Sequence, residues 1–240
     1  KALKEATRLL ARDPSNPQFK SLYAIENMQT GDFETALTTL DEVLDLVPGD
    51  PITLTTKGHA LKTAGQTDDA IAAYHDALTS QPEHGEAYHS LANLKTYAFS
   101  DSELEQMQAQ EANPNLSHMD RVYLCFALAK AYEDRQGYES AFQFYERGNA
   151  LKKAQSRYDA DRIHDEFTAM QTVCTKELFT HLTDAGDPRP DPIFVLGLPR
   201  AGSTLIEQIL SSHSQIDGTL ELPNMLSLSQ QLRRRSDAGY

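Results

Sequence analysis

Residues 17–50 read PQFKSLYAIENMQTGDFETALTTLDEVLDLVPGD, and residues 51–84 read PITLTTKGHALKTAGQTDDAIAAYHDALTSQPEH. Placed one above the other, the two stretches share a small residue, a turn glycine, a second small residue and a late proline: Ala24 and Gly58, Gly31 and Gly65, Ala36 and Ala70, Pro48 and Pro82. Small residues let two helices cross closely, glycine permits the turn between them, and proline ends the second helix. Each stretch is therefore predicted to be a helix–turn–helix unit, with Leu40 and Tyr74 in the core behind the crossing.

The 34-residue spacing resembles the tetratricopeptide repeat, and it extends beyond these two stretches. Residues 1–16 correspond to the second half of an earlier unit. A third unit at 85–118 keeps its first helix but loses the pattern in its second, where Leu104 takes the place of the small residue. A fourth unit is expected at 122–153. The resemblance implies a superhelix of about four repeats whose groove binds a peptide or a protein.

A segment of different character begins late in the chain, where residues 192–204 read PIFVLGLPRAGST. The apolar run 193–196, stopped by glycine and proline, predicts a short strand buried on both faces. A glycine-bearing loop follows, and a helix is predicted to begin at Ser203 with these apolar residues on one face: Leu205, Ile206, Ile209 and Leu210. The free N–H groups of a helix N-terminus favour an anion, and Arg200 adds a permanent positive charge. This arrangement predicts an anion-binding site.

The loop is not a Walker A motif, because Ser203 stands where that motif has its lysine, and a conventional NTPase is therefore disfavoured. The letters PRAGSTL resemble instead the 5′-phosphosulfate loop of sulfotransferases that use 3′-phosphoadenosine 5′-phosphosulfate (PAPS), with Ala201 in place of the usual serine. The resemblance implies transfer of a sulfuryl group from PAPS to a hydroxyl acceptor, with no metal ion. It also implies the cofactor-binding residues Arg200, Ala201, Gly202, Ser203, Thr204 and Leu205. In the same resemblance Arg200 is catalytic, since it stabilises charge on the leaving oxygen.

Residues 210–222, LSSHSQIDGTLEL, resemble the tyrosylprotein branch of the sulfotransferases. Glu221 matches the glutamate that serves that branch as catalytic base. His213 matches a family histidine, and a cap at the end of the helix is the role we favour for it. Pro223 and Gly218 depart from that branch, which has at these positions an arginine suited to acidic peptides and a disulfide cysteine. The acceptor therefore stays open, as protein, peptide or small molecule.

The net charge is −13, and residues 1–190 carry −12 of it. This acidity argues against nucleic acid and anionic membranes as partners. No apolar run reaches the roughly 18 residues that a membrane span requires. Cys125 and Cys174 fall inside apolar helical patterns, which favours a reducing compartment, and we expect a cytoplasmic protein. The histidines are scattered and lack a metal-ligand spacing, so we expect each of them to pack in the core or at the surface.

These features predict a mostly α chain in three parts. Residues 1–153 form a tetratricopeptide-repeat domain. Residues 154–190 hold an amphipathic connecting helix, predicted over about 159–182, and a proline-rich linker. Residues 191–240 form the first strand, loop and helix of a P-loop-like α/β sulfotransferase domain. One strand and one helix cannot close a core, and the arginine and serine that bind the 3′-phosphate are expected further along, so the 240 residues alone are expected to be inactive. The alternative is a repeat scaffold or adaptor with a non-catalytic α/β portion.

Overall fold

The computed structural model describes residues 2–94, 96–156, 158–181, 187, 189–218 and 224–237. Throughout these residues the regular secondary structure is helical, and none of them is assigned to a strand. The chain divides into two compact units, residues 1–162 and 163–240. The predicted mostly α architecture is confirmed.

The first unit contains α1 (Ala2–Arg12), α2 (Pro17–Thr30), α3 (Phe33–Leu46), α4 (Pro51–Thr63), α5 (Thr67–Ser80), α6 (Gly85–Ala92), α7 (Asp101–Glu111), α8 (His118–Asp134) and α9 (Tyr138–Gln155). The helix α10 (Ala160–Val173) begins in this unit and continues into the second, which also contains α11 (Lys176–His181), α12 (Ser203–Ser211) and α13 (Asn224–Asp237). Three helix pairs in the first unit pack as hairpins: α2 with α3, α4 with α5, and α8 with α9.

The two repeats predicted at residues 17–50 and 51–84 have the same kind of N-terminal helix cap. The Asn16 carboxamide oxygen accepts the Phe19 N–H at 3.3 Å, and an Asp50 carboxylate oxygen accepts the Thr53 N–H at 2.8 Å. A proline follows each cap at the first helical position, where its missing N–H costs no hydrogen bond. Each side-chain cap stabilises its helix by about 1 kcal/mol.

The turns and helix ends also follow the predicted pattern. Gly31 and Gly65 both adopt a left-handed φ of 84°, which a residue with a Cβ rarely reaches. The second helices end at Leu46 and Ser80, two residues before each repeat's proline. The repeat register is therefore correct through both units.

The core forms where small residues let the helices cross. Ala24, Ala36 and Ala70 are fully buried, and so is Tyr74. A Cβ added to Gly58 would lie 2.4 Å from Tyr74 Cε1, so only glycine fits beneath that ring. The small positions predicted from the sequence are thus the points at which the two helices of a repeat meet.

The third repeat unit, residues 85–118, departs from the geometry of the first two repeats, as its degraded sequence pattern predicted. Its first helix, α6, ends at Ala92, and α7 begins only at Asp101. Leu94 and Phe99, in the connection between them, are buried in the main core. Both α6 and α7 pack on α8. The apolar residues of the connection occupy space that a second-helix crossing fills in the first two repeats.

The fourth unit is again a helical hairpin, somewhat longer than the predicted range 122–153. Gln136 has a φ of 62° at the position where the earlier repeats have their turn glycine. Gly148 lies in a small-residue position, where an added Cβ would be 3.2 Å from the Cβ of Cys125. This hairpin therefore keeps the turn geometry of the repeat without the residue that suits it.

An ion cluster around the buried Glu111 carboxylate joins α7, α8 and α9. The Glu111 carboxylate, whose side chain is only 8% exposed, lies 2.8 Å from Arg147 Nη2 and 3.5 Å from Arg121 Nη1. Its Oε1 is also 4.0 Å from Cys125 Sγ. Burial and the Glu111 charge raise the pKa of Cys125 to about 11, against the opposing effect of the two arginines. The thiol is therefore protonated and buried at neutral pH.

The second of the two compact units, residues 163–240, differs from the sequence prediction at two places. The sequence predicts a single amphipathic helix over 159–182, but the structure has two, because α10 ends at Val173 and α11 begins at Lys176. The Thr175 hydroxyl accepts a hydrogen bond from the Leu178 N–H and so caps the start of α11. Residue 182 lies outside the described residues, and Cys174 falls in the break, exposed to solvent.

The second difference is the predicted strand at 193–196, which is not assigned as a strand. Ile193, Phe194 and Leu196 are exposed, the last at 89%. A strand that is buried on both faces requires neighbouring strands, and none of the described residues is assigned to one. The loop and the helix after this run do form. No helix in the described ranges has the length and apolarity to cross a membrane.

Candidate functional site

The loop between the apolar run and α12 forms a tight turn. The Ala201 N–H donates to the Leu198 carbonyl at 3.1 Å. A Cβ added to Gly197 would lie 3.2 Å from the Cβ of Ala201, so the two ends of the loop approach closely. Arg200 has a φ of 66° and Gly202 a φ of 87°. This pair of left-handed residues reverses the chain directly before the helix.

The loop delivers an open helix N-terminus. Gly202 is the N-cap of α12, and no side chain caps the helix. The first backbone bond joins the Ile206 N–H to the Gly202 carbonyl at 3.1 Å. Within the part of the chain that the structure describes, the N–H groups of residues 202–205 have no hydrogen-bond partner. Free donors of this kind, together with the helix dipole, are suited to binding an anion.

Arg200 places a positive charge beside these donors. Its side chain is exposed and forms no ion pair or hydrogen bond with any described residue. The hydroxyl groups of Ser203 and Thr204 are likewise exposed and without a partner among those residues. A left-handed φ at a non-glycine residue costs on the order of 1–3 kcal/mol, and such strain is concentrated at binding and catalytic sites. The loop therefore combines free N–H groups, two hydroxyls and one guanidinium, all available to a ligand.

Of the six predicted cofactor-binding residues, five have a free donor in this loop, and the sixth, Ala201, does not. Arg200, Gly202, Ser203, Thr204 and Leu205 present free donors in one short segment, and the Ala201 N–H is already engaged in the turn. The proposed base, Glu221, lies outside the described residues.

Beyond α12 the chain turns back along the helix. The Gln215 N–H donates to His213 Nδ1 at 3.2 Å, so this imidazole stabilises the turn that follows the helix. A Cβ added to Gly218 would lie 3.0 Å from Ser211 Cβ and 3.2 Å from Glu207 Oε1. By residue 218 the chain therefore runs beside the second half of α12.

A second candidate surface lies in the first unit, where the first helices of successive repeats, α4, α6 and α8, pack side by side. His59 Nε2 lies 3.0 Å from Ser90 Oγ, which links α4 to α6. The His89 ring lies 5.1 Å from the ring of Tyr123, which links α6 to α8. Burial lowers the pKa of both His59 and His89, Glu86 opposes the shift, and a nearby lysine adds to it. Both rings are therefore neutral at pH 7.

The sequence did not reveal that histidines bridge the helices. His84 Nε2 lies 3.0 Å from the buried Thr55 hydroxyl, and His118 Nε2 lies 3.1 Å from the Leu151 carbonyl. Core or surface packing was the expectation for the scattered histidines, and these contacts agree with it. Spacing alone could not have identified the partners, because each pair is separated by some 30 residues and depends on the stacking of neighbouring repeats.

The two ends of the chain resemble two different families of known proteins. Residues 192–240 match the model of the Sulfotransferase family, and residues 1–119 match that of the Psidin N-terminal TPR repeats region. A curated protein of Aquifex aeolicus (strain VF5), described as uncharacterized, is 32% identical over 167 residues, or 69% of this chain and 21% of that protein. The chain thus spans about a fifth of the length of this relative.

Two solved structures are similar at low identity. The crystal structure of MamA is 16% identical, with a TM-score of 0.47, over 65% of this chain and 90% of that one. MamA 41-end from Desulfovibrio magneticus RS-1 is 18% identical, with a TM-score of 0.45, over 64% of this chain and 85% of that one. The family matches and the helical repeats together describe a tetratricopeptide-repeat protein with a sulfotransferase-like segment at residues 192–240.

Proposed function

We propose that this chain belongs to a PAPS-dependent sulfotransferase that transfers a sulfuryl group to a hydroxyl acceptor. The observation that carries the proposal is the open N-terminus of α12, where the N–H groups of residues 202–205 and the Arg200 side chain have no partner among the described residues. The match of residues 192–240 to the sulfotransferase family supports it. The reaction needs such a site, because the bond that breaks joins sulfur to an oxygen of the 5′-phosphate.

In this proposal the loop binds the 5′-phosphate of PAPS. The N–H groups at 202–205 and the Ser203 and Thr204 hydroxyls donate to the phosphate oxygens. Arg200 neutralises the negative charge that develops on the bridging oxygen as the bond from sulfur breaks. Each charge-assisted hydrogen bond contributes on the order of 1.5–3 kcal/mol. The Ala201 N–H would join these donors only by leaving the Leu198 carbonyl.

The acceptor hydroxyl forms the new bond to sulfur and loses its proton, which a general base must accept. We assign this role to Glu221. Gly218 lies beside Glu207 and Ser211, so the chain has already reversed towards the start of α12. Three further residues can span about 10 Å. The four helical residues from Glu207 back to Ser203 rise about 6 Å. The chain length therefore suffices to bring a carboxylate at 221 level with the loop.

The repeats are assigned a binding role in the same proposal. The surface that contains His59, His89 and Tyr123 joins successive first helices and offers polar and aromatic side chains to a peptide or protein, either the acceptor or a partner. We place the protein in the cytoplasm, since both cysteines are free.

The second candidate is a repeat scaffold with a non-catalytic α/β portion. The packing of α4, α6 and α8 favours it, since a surface of stacked repeats can bind a partner without catalysis.

The test is transfer of radiolabelled sulfate from PAPS to a hydroxyl acceptor by the complete protein. We expect turnover in the wild type, and Glu221→Gln should lower it by about 10²–10⁴-fold with cofactor affinity retained. Glu207→Gln is the matched control, because this carboxylate lies on α12 itself and should leave turnover within about twofold. Residues 1–240 alone should show none. Turnover that survives in Glu221→Gln would remove Glu221 as base, and absence of any transfer by the complete protein would favour the scaffold.

A further inference from the structure

A groove runs between three neighbouring helices of the first unit, α3, α4 and α5, and has a volume of about 380 Å³. Helix α3 contributes Leu37 and Asp41 to it, and α5 contributes Asp69, Ala72 and Asp76. Leu37 is half-buried, whereas Ala72 and the three carboxylates are exposed, so a ligand from solvent can reach each of these side chains. The groove therefore has an accessible apolar strip and an acidic rim.

The two helices that form the rim are strongly acidic. They contain seven carboxylates and neither lysine nor arginine: Glu34, Asp41, Glu42 and Asp45 on α3, and Asp68, Asp69 and Asp76 on α5. Lys57 pairs with Asp41 at 2.6 Å, and Lys20 pairs with Glu42. The other five carboxylates form no ion pair with any residue that the structure describes. A cation that approaches this face therefore enters a region of negative potential.

The exposed strip of α5 has a regular spacing. Asp69 and Asp76 are seven residues apart, which is almost two helical turns, so both lie on one face with about 10 Å between them along the helix axis. Ala72 lies between them and lines the same groove. A small side chain at this position lets a second helix approach closely. The strip thus offers two anions, two turns apart, with apolar surface between them.

Two lysines already show how a cation is held against α3. Lys57 reaches Asp41 from α4, and its side chain is only 29% exposed. Lys20 reaches Glu42 from α2 with a side chain that is 15% exposed. In both cases the aliphatic stem packs on the protein while the ammonium group binds a carboxylate at the surface. A basic side chain from outside can bind the unpaired carboxylates of α5 in the same manner.

We propose that this groove docks an amphipathic helix of a partner protein. The helix has two lysine or arginine residues seven positions apart, which pair with Asp69 and Asp76. Apolar residues three and four positions after the first of them pack on Leu37 and Ala72. Charge complementarity and the matched two-turn spacing argue for this occupant. The strip belongs to second helices of the repeats, whereas the binding surface described above belongs to first helices, so the proposal does not depend on the sulfotransferase activity.

The experiment is calorimetric titration of the 240-residue chain with the peptide acetyl-KAALLAAKAALLAAKAALLAAK-amide. This peptide is long enough to form a helix and has lysines and leucines at the proposed spacing. The control acetyl-AAKLLAAAAKLLAAAAKLLAAAAK-amide has the same lysines and leucines, but each lysine is moved two positions, onto the opposite face of the helix. A second control replaces every leucine of the first peptide by alanine. We expect saturable binding of the first peptide and affinity lower by about tenfold or more for both controls. Equal binding of either control, or no saturable binding of the first peptide, would overturn the proposal.

Variants of the chain test the residues. The double variant Asp69→Asn with Asp76→Asn should weaken binding of the first peptide by about fivefold or more. Its matched control is Asp68→Asn with Asp45→Asn, which removes the same charge from the same two acidic helices outside the groove and should change affinity less than about twofold. Ala72→Arg fills the groove with a cation from an exposed helix position, so it is expected to fold and to abolish binding. Equal affinity of the two double variants, or binding that survives Ala72→Arg, would refute the assignment.

Two further measurements distinguish the other possible occupants. Spermidine is a small polycation without apolar side groups, and we expect it to bind more weakly than the peptide. Spermidine binding as tight as that of the peptide would contradict a helix as the ligand. Sedimentation of the chain alone tests a second copy, and we expect no self-association through this face. Self-association that Ala72→Arg abolishes would show that another copy of the chain occupies the groove, and the partner helix would then be ruled out.

Discussion

Gly58→Ala is expected to destabilise the second repeat, although alanine is the better helix former. The new Cβ would lie 2.4 Å from Tyr74 Cε1, 2.7 Å from Cδ1 and 2.8 Å from Cζ, whereas ordinary contact begins at 3.4 Å. The ring must therefore move by about 1 Å, and because Tyr74 is fully buried it has no free space to enter. Overpacking of this kind costs about 1–3 kcal/mol, and alanine recovers up to about 1 kcal/mol through helix propensity.

With three ring atoms closer than 3.0 Å, the overpacking cost should be about 2–3 kcal/mol, so the net loss should be about 1–3 kcal/mol, or about 2–12 °C in melting temperature. The first repeat shows how it can be reversed, because Ala24 and Leu40 occupy the equivalent positions there and share one buried cluster. In a Tyr74→Leu background, Gly58→Ala should be neutral or stabilising. The coupling between the two substitutions should therefore be about 1–3 kcal/mol.

The assay is urea unfolding of the wild type, the two single variants and the double variant, followed by circular dichroism at 222 nm. Additive effects, or a Gly58→Ala variant as stable as the wild type, would refute the proposed crossing of α4 and α5.

Other predictions address the turn, the register and the thiols. Gln136→Gly should stabilise the protein by about 0.5–1 kcal/mol because it relieves a left-handed φ, and Gln136→Ala should not; equal melting temperatures would contradict this. Ala70→Leu should cost about 1–3 kcal/mol, and an unaltered melting temperature would show that the repeat register is wrong. Iodoacetamide at pH 8 should alkylate Cys174 rapidly and spare Cys125, as read by mass spectrometry. Burial and, after it, the Glu111 charge raise the pKa of Cys125, so Glu111→Gln should make that thiol more reactive, and unchanged labelling would argue against the contact.

The repeats could be predicted from the sequence because their signals are local. Gly31 and Gly65 are required by left-handed turns, and Ala36 and Ala70 by helix crossings, so composition and geometry coincide at fixed spacing. The same logic failed at Gln136, where a residue that disfavours the left-handed region still adopts it because the flanking helices of the hairpin fix the turn. The sequence pattern identifies where a turn occurs, whereas the packing of the flanking helices decides whether a residue other than glycine can occupy its left-handed position.

The same distinction between local and long-range features applies to the candidate site. The loop and α12 follow from short-range signals around Arg200 and Gly202, and both form as predicted. The strand at 193–196 depends on partners elsewhere in a sheet, so its apolar letters could not establish its pairing.

Binding of the cofactor's 5′-phosphate by the loop at Arg200 can be measured by calorimetric titration of the complete protein with adenosine 3′,5′-bisphosphate. Arg200→Ala should weaken binding by about 10–150-fold, which corresponds to the loss of one charge-assisted contact of 1.5–3 kcal/mol. Arg189→Ala is the control, because it removes the same charge from an exposed side chain that pairs with Asp187 at 2.7 Å outside the loop. We expect the affinity of this control to lie within about twofold of the wild type. Equal affinity of Arg200→Ala and the wild type would contradict the assignment of the loop.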